Sequence, residues 1–183
     1  MFLFTHEGYT ILFAEIISLT YYSLWVKRRS KDTEDKWGIK YFSIFAILFG
    51  AMGPDLIDKI LIQPFTGFGR HIGHSLLFNL LISIAVFLVF RKRKRFYLGF
   101  ILGWQMHILF DVGGFIPWFY PFIQYDFQPR TQTFWEILSQ PQVYINEIIG
   151  LVCLIAIVLL YLKRKVQIKN IFFNDLKKDF SIK

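Results

Sequence analysis

Ile72-Gly-His-Ser-Leu-Leu-Phe-Asn-Leu-Leu-Ile-Ser-Ile-Ala-Val-Phe-Leu-Val-Phe90 runs for 19 residues without a Lys, Arg, Asp or Glu, and Arg91-Lys92-Arg93-Lys94-Arg95 follows at once. A helix needs about 20 mostly apolar residues to cross a bilayer core. A basic run abutting such a stretch marks a cytoplasmic end, because cytoplasmic loops carry the excess of Lys and Arg. This stretch therefore predicts a membrane helix entering from outside and ending inside.

Four further stretches extend the pattern. Gly8–Val26 is broken only by Glu15, and Ile39–Met52 is shorter and ended by Gly53-Pro54, where proline disfavours a helical residue before it. Phe96–Phe110 is free of charge until Asp111 and Gly113-Gly114 close it, and Val143–Leu162 carries Glu147 near its start. The expectation is an all-α integral membrane bundle of about five transmembrane helices. One helical domain spans residues 1–165, and a basic cytoplasmic tail spans 166–183. Met1–Thr10 has no Lys or Arg and so lacks the basic n-region of a secretory signal, which predicts that the first helix is retained.

Composition agrees. The chain has 183 residues, 55% of them hydrophobic and 20% aromatic, with 22 Phe. Its mean hydropathy is +0.43. The net charge is +8, yet charged residues make only 19%, the reverse of a disordered or nucleic-acid-coating chain. The single cysteine, Cys153, excludes a disulfide framework or a CxxC zinc site.

The basic residues sort themselves by loop. Lys27, Arg28, Arg29, Lys31, Lys36 and Lys40 lie between the first two stretches, the Arg91–Arg95 run lies between the third and fourth, and Lys163, Arg164, Lys165, Lys169, Lys177, Lys178 and Lys183 follow the fifth. Only Lys59, Arg70 and Arg130 fall on the other side. The asymmetry predicts N-terminus out, C-terminus in, in a plasma or inner membrane. Spread over three loops, the clusters read as topology determinants beside the inner leaflet and not as a docking patch, so no nucleic-acid partner is expected.

That topology gathers the polar residues at one face. His6 precedes the first helix, Asp55 and Asp58 follow the second, His71 and His74 open the third, and His107 with Asp111 ends the fourth. His107 and Asp111 are four apart and share a helical face, while Asp55/Asp58 and His71/His74 are three apart. An ionisable group in a membrane helix costs about 2.5–3.5 kcal/mol on insertion scales, so it has a partner or a function. Imidazole and carboxylate are ligands for Zn²⁺, Mn²⁺ or Fe²⁺. We therefore take His6, Asp55, Asp58, His74, His107 and Asp111 as candidate metal ligands, with zinc first among the ions. Six ligands suit two metals about 3.5–4 Å apart, or one zinc with outer carboxylates.

Thr66-Gly67-Phe68-Gly69-Arg70 is glycine-rich and leads into a helix, where free N–H groups and Arg70 suit an anion such as a phosphoryl ester. Arg70, His71 and Ser75 are the accessory catalytic candidates, Ser75 serving also as a first-turn cap. Glu15 is read either as an outer partner of the metal site or as a carboxyl hydrogen-bonded to a neighbouring helix. Phe115-Ile116-Pro117-Trp118-Phe119-Tyr120-Pro121-Phe122 is too proline-broken to span and reads as an interfacial aromatic segment that roofs the site, admits lipid or merely anchors.

His6, Pro54-Asp55-Leu56-Ile57-Asp58, Arg70 to His74-Ser75, and His107 with Asp111 occur in an order that resembles the YdjM-like family of membrane-bound metal-dependent hydrolases. The resemblance covers about Met1 to Pro121. It implies a helical membrane hydrolase distantly like zinc-dependent phospholipase C. Family members often show His-Arg-Gly-x-Thr-His-Ser; here Gly69 replaces the first His, His71 the Gly and Gly73 the Thr. The expected function is metal-dependent hydrolysis of an ester, a lipid or phosphoester, at the extracytoplasmic face. The competing class is a non-enzymatic metal-binding protein, such as a sensor, regulator or transporter component. A transporter would spread polar residues through the bilayer depth, whereas here only Glu15 lies deeper. A structural membrane protein with incidental histidines is the third alternative.

Overall fold

The computed structural model describes residues 3–21, 24, 42–67, 70–112, 115–127, 136 and 139–163. The loop with Lys27 to Lys40, the glycine pairs' members Gly69, Gly113 and Gly114, Arg130 and the tail 166–183 lie outside the described residues. Helix α1 covers Leu3–Tyr21 and α2 covers Ile44–Asp55. A π-helical segment, Leu56–Ile62, continues α2 into the single turn α3, Gln63–Thr66. A 3₁₀ turn, Ile72–His74, precedes α4, Leu76–Phe90; α5 is Lys94–Phe110 and α6 is Pro141–Lys163. Among the described residues there is no strand.

Local chemistry sets several of these bounds. Ser43 caps α2 by accepting from the Ala46 N–H, and Ser75 caps α4 by accepting from the Phe78 N–H at 3.2 Å. The cap sets the start of α4 at Leu76, later than the apolar stretch beginning at Ile72 suggests. Gly67 ends α3 in the left-handed conformation, φ +75°, which favours glycine.

Two close helix pairs organise the bundle. A Cβ on Gly103 would lie 2.2 Å from the Ile47 carbonyl oxygen, one on Gly50 2.2 Å from the Phe100 oxygen, and one on Gly99 2.8 Å from the Ser43 oxygen. Gly99 and Gly103, four apart, thus let α5 lie directly on α2, the small-xxx-small contact of membrane helices. The same device joins α1 to α6, where a Cβ on Gly8 would meet the Gly150 oxygen at 2.1 Å. In both pairs the contacts advance in the same direction along the two chains, so α2 and α5 run parallel, as do α1 and α6. Helix α4 returns against α5: Phe90 packs on Phe96 and Asn79 exchanges amide hydrogen bonds with Gln105. This alternation brings the start of α1, the end of α2, the start of α4 and the end of α5 to one end of the bundle.

The interior is mixed and the exterior apolar. Thr5, His6, Glu7, Thr10, Asp58, His74, Asn79, His107 and Asp111 are buried, while Leu80, Leu81, Phe87, Leu88 and Val89 of α4 are exposed. Within α6, Pro141–Leu160 is long and apolar enough to cross a membrane, and only 11% of its most apolar window is buried, unlike a soluble core helix. It is the one described helix that meets both criteria; Leu76–Phe90 is apolar but shorter. Where about five spans are expected, the described residues form five main helices, of which one is a full-length candidate span. The shortfall has physical causes. Helix α1 spends its length on His6, Glu7 and Glu15, α2 changes to π geometry after Asp55, and α5 begins on Lys94 and Arg95.

Candidate metal centre

The α2–α5 contact determines the site, because it sets Ala51 and Asp55 beside His107 and Asp111. His107 Nδ1 lies 2.5 Å from the Ala51 carbonyl oxygen, which only accepts, so Nδ1 carries the proton and Nε2 turns inward as an acceptor. The 3₁₀ turn supplies the second imidazole. His74 Nδ1 lies 2.7 Å from Asp58 Oδ2, again a pure acceptor, and this leaves His74 Nε2 facing inward. The two Nε2 atoms are 3.3 Å apart.

Two carboxylate oxygens complete the group. Asp55 Oδ1 is 3.7 Å from His74 Nε2 and 3.6 Å from His107 Nε2. Asp111 Oδ2 is 3.3 Å and 3.8 Å from the same two atoms. These four donors lie within 4.8 Å of one another, and His74, His107 and Asp111 are buried. A tetrahedron of N and O ligands about 2.0–2.2 Å from its centre has edges of about 3.3–3.6 Å. Electron pairs converging without a proton between them repel, and a cation relieves that repulsion. The residues present therefore fit a divalent metal ion.

Charge within the centre is arranged to keep the carboxylates ionised. Burial pushes the Asp55 carboxyl up, but the neighbouring His107 and the Lys59 ammonium outweigh it and hold the group below the usual carboxylate range. Burial acts on Asp111 likewise, and His74 and the Arg70 guanidinium overcome it. Lys59 Nζ pairs with Asp55 Oδ2, and Arg70 Nη2 sits 2.7 Å from Asp111 Oδ2.

The other sequence candidates take different places. Asp58, fully buried, does not join the converging atoms. Its Oδ2 accepts from the His71 N–H at 2.6 Å and its Oδ1 from the Gly73 N–H at 2.7 Å, so it folds the His71–His74 turn around itself and orients His74. Asp55 and Asp58, three apart, both address the His74 ring, Asp55 Oδ1 at 3.7 Å from Nε2 and Asp58 Oδ2 at 2.7 Å from Nδ1. Gly73 fits this turn, since a Cβ there would come within 2.9 Å of Asp58 Oδ1. His6 stands beside the group: its ring stacks on His107 at 4.1 Å and its Nε2 lies 3.7 Å from Asp111 Oδ1. The His71 ring packs on Tyr120 and Phe127 at 4.7 and 4.5 Å, and Ser75 Oγ donates to the Ile72 carbonyl, so both serve the turn and its cover. Glu15 is buried further along α1 and is not one of the four donors.

The aromatic segment does reach the site. Arg70 Nη1 donates to the Phe115 carbonyl at 3.4 Å, and the Leu76 N–H donates to the Trp118 carbonyl at 2.9 Å. Two features escaped the sequence reading. Lys59 is one, although its i,i+4 spacing from Asp55 was a usable signal. The other is Glu147, which accepts from the Phe4 N–H at 2.9 Å and from the Thr5 hydroxyl, and so closes the N-terminus of α1.

No curated protein sequence and no solved structure matches this chain. A family model described as YdjM inner membrane protein matches residues 1–171, which takes in every helix above and all four converging donors. The chain belongs to the YdjM inner membrane protein family.

Proposed function

We propose that this protein is a multi-pass membrane hydrolase that uses a divalent metal, zinc first among candidates, to cleave an ester of a lipid or phosphoester type at the extracytoplasmic face. The convergence of Asp55, His74, His107 and Asp111, with both imidazole Nδ1 atoms engaged elsewhere, is the observation that carries the reading. A bound divalent ion supplies Lewis acidity and makes water nucleophilic near neutral pH. Asp58 and the Ala51 carbonyl hold the two imidazoles in the metal-binding tautomer, and Arg70 offsets negative charge on the substrate. The helix alternation and the distribution of Lys and Arg support five spans with the donors outside. The apolar outer surface of α4 and α6 supports lipid as the surroundings and as a source of substrate.

Elemental analysis of the detergent-purified protein tests the metal. We expect bound metal in the wild type and its loss in His107→Ala and Asp111→Ala; equal or absent metal in all three overturns the centre. Phosphatase and lipase reporters with and without chelator test the chemistry. For topology, Phe65→Cys in a Cys153→Ser background should react with an impermeant thiol reagent in intact cells, since Phe65 is 89% exposed. Protection there with labelling of Ser30→Cys reverses the orientation.

A second reading has its own support. Four protein donors fill a zinc tetrahedron, the pattern of closed structural sites, whereas catalytic zinc keeps a position open. Metal bound without any chelator-sensitive turnover selects this non-enzymatic reading, a metal-binding sensor, regulator or transporter component.

A further inference from the structure

The two Nε2 donors belong to side chains that are 0% and 1% exposed, whereas solvent reaches Asp55 at 23%, Lys59 at 34% and Arg70 at 25%. The accessible side of the centre is thus bordered by two cations from separate elements, Lys59 on the π segment and Arg70 ahead of the 3₁₀ turn. Each is paired with one of the two carboxylates among the four donors.

We propose that Lys59 and Arg70 form a cradle for a phosphoryl oxyanion, opened when a divalent cation takes Asp55 and Asp111. The inference rests on the metal centre argued above and deepens it by naming the charge and shape of what binds there. With neutral histidines, Asp55, Asp58 and Asp111 outnumber Lys59 and Arg70, so the centre is negative by one charge and repels an anion. A divalent ion reverses that sign. Its bond to Asp111 Oδ2 competes with Arg70 for the same oxygen, and by drawing the charge of Asp55 to Oδ1 it weakens the Lys59 pair at Oδ2, which loosens donors on both side chains. Arg70 then presents a planar fork suited to two oxygens of one phosphoryl group, and Lys59 a point charge suited to a third. The apolar surfaces of α4 and α6 allow such a group to arrive on a lipid, and the partial exposure of Lys59 and Arg70 allows it to arrive from water.

Titration calorimetry on the full chain in detergent tests this, first with Mn²⁺ and then with inorganic phosphate, in wild type, Lys59→Met and Arg70→Met. We expect phosphate to bind only after Mn²⁺, and about tenfold more weakly in each variant. Lys59→Met should bind Mn²⁺ at least as tightly as wild type, because a competing cation has gone, and Lys59→Arg should restore phosphate binding. Retained Mn²⁺ binding also certifies that each variant is folded. Mixed micelles of phosphatidylglycerol against a neutral diacylglycerol separate the sources: preference for the anionic micelle identifies a lipid headgroup, and binding of phosphate alone identifies a soluble anion. Mn²⁺ binding with no phosphate binding, or with equal phosphate binding in all variants, overturns the cradle and leaves the metal centre standing. No Mn²⁺ binding in the wild type overturns both.

Discussion

The α2–α5 and α1–α6 pairs are built alike and used differently. Both are parallel and rest on glycines whose missing Cβ lets backbone meet backbone, Gly50, Gly99 and Gly103 in one and Gly8 and Gly150 in the other. At the end of the first pair, acceptors converge on one another. At the corresponding end of the second, an acceptor meets donors, as Glu147 takes the Phe4 N–H and the Thr5 hydroxyl. Close approach alone therefore makes no site. What matters is whether the polar groups it collects satisfy one another.

The largest expected effect comes from crowding the two contacts in turn. Gly103→Ala sets a Cβ against the Ile47 carbonyl and pushes on the helix that carries His107 and Asp111. It should lower the thermal midpoint, at a cost of roughly 1–3 kcal/mol, and release the metal. Gly150→Ala crowds Phe4 and Thr5 as severely, yet it should leave the metal in place, because the four donors lie on other elements. Metal analysis of both variants decides it. Equal loss from Gly150→Ala breaks the comparison and makes His6, which stacks on His107, part of the binding group.

A smaller effect sharpens the first pair. Asp58→Asn keeps the shape of the side chain but sets an NH₂ against one of the donors that both Asp58 oxygens now accept, so the His71–His74 turn loosens and metal affinity should fall about 10–100-fold. Competition with a chelator of known affinity measures it. The smallest effect concerns the second pair. Glu147→Gln removes the charge at the start of α1 and should cost about 1 kcal/mol of stability in thermal unfolding, without changing metal content.

The sequence made most of this bundle readable, for reasons tied to particular residues. Apolar length located the helices. The spacing of His107 and Asp111 sufficed because α5 is a regular α-helix to Phe110, where three or four residues return to one face. The spacing of Asp55 and Asp58 brought both to one imidazole, but it did not tell which of the two joins the converging donors. Lys59 went unseen because a lone cation outside the basic loops looks like ordinary surface. Only the fold shows that its carboxylate partner also faces two imidazoles.

The π-helical segment leaves the centre vulnerable in a way that point substitution does not test. Such a segment holds more residues per turn than its length would need as an α-helix, so it behaves as stored chain length. Removing one residue between Leu56 and Ile62 lets the backbone revert to the tighter helix; the chain beyond keeps nearly its phase, while the residues inside the segment shift against Asp55. Deletion ahead of Asp58 turns it away from His74 while every donor remains in the chain. For this region, alignment gaps and single-codon deletions are therefore more informative than residue identity.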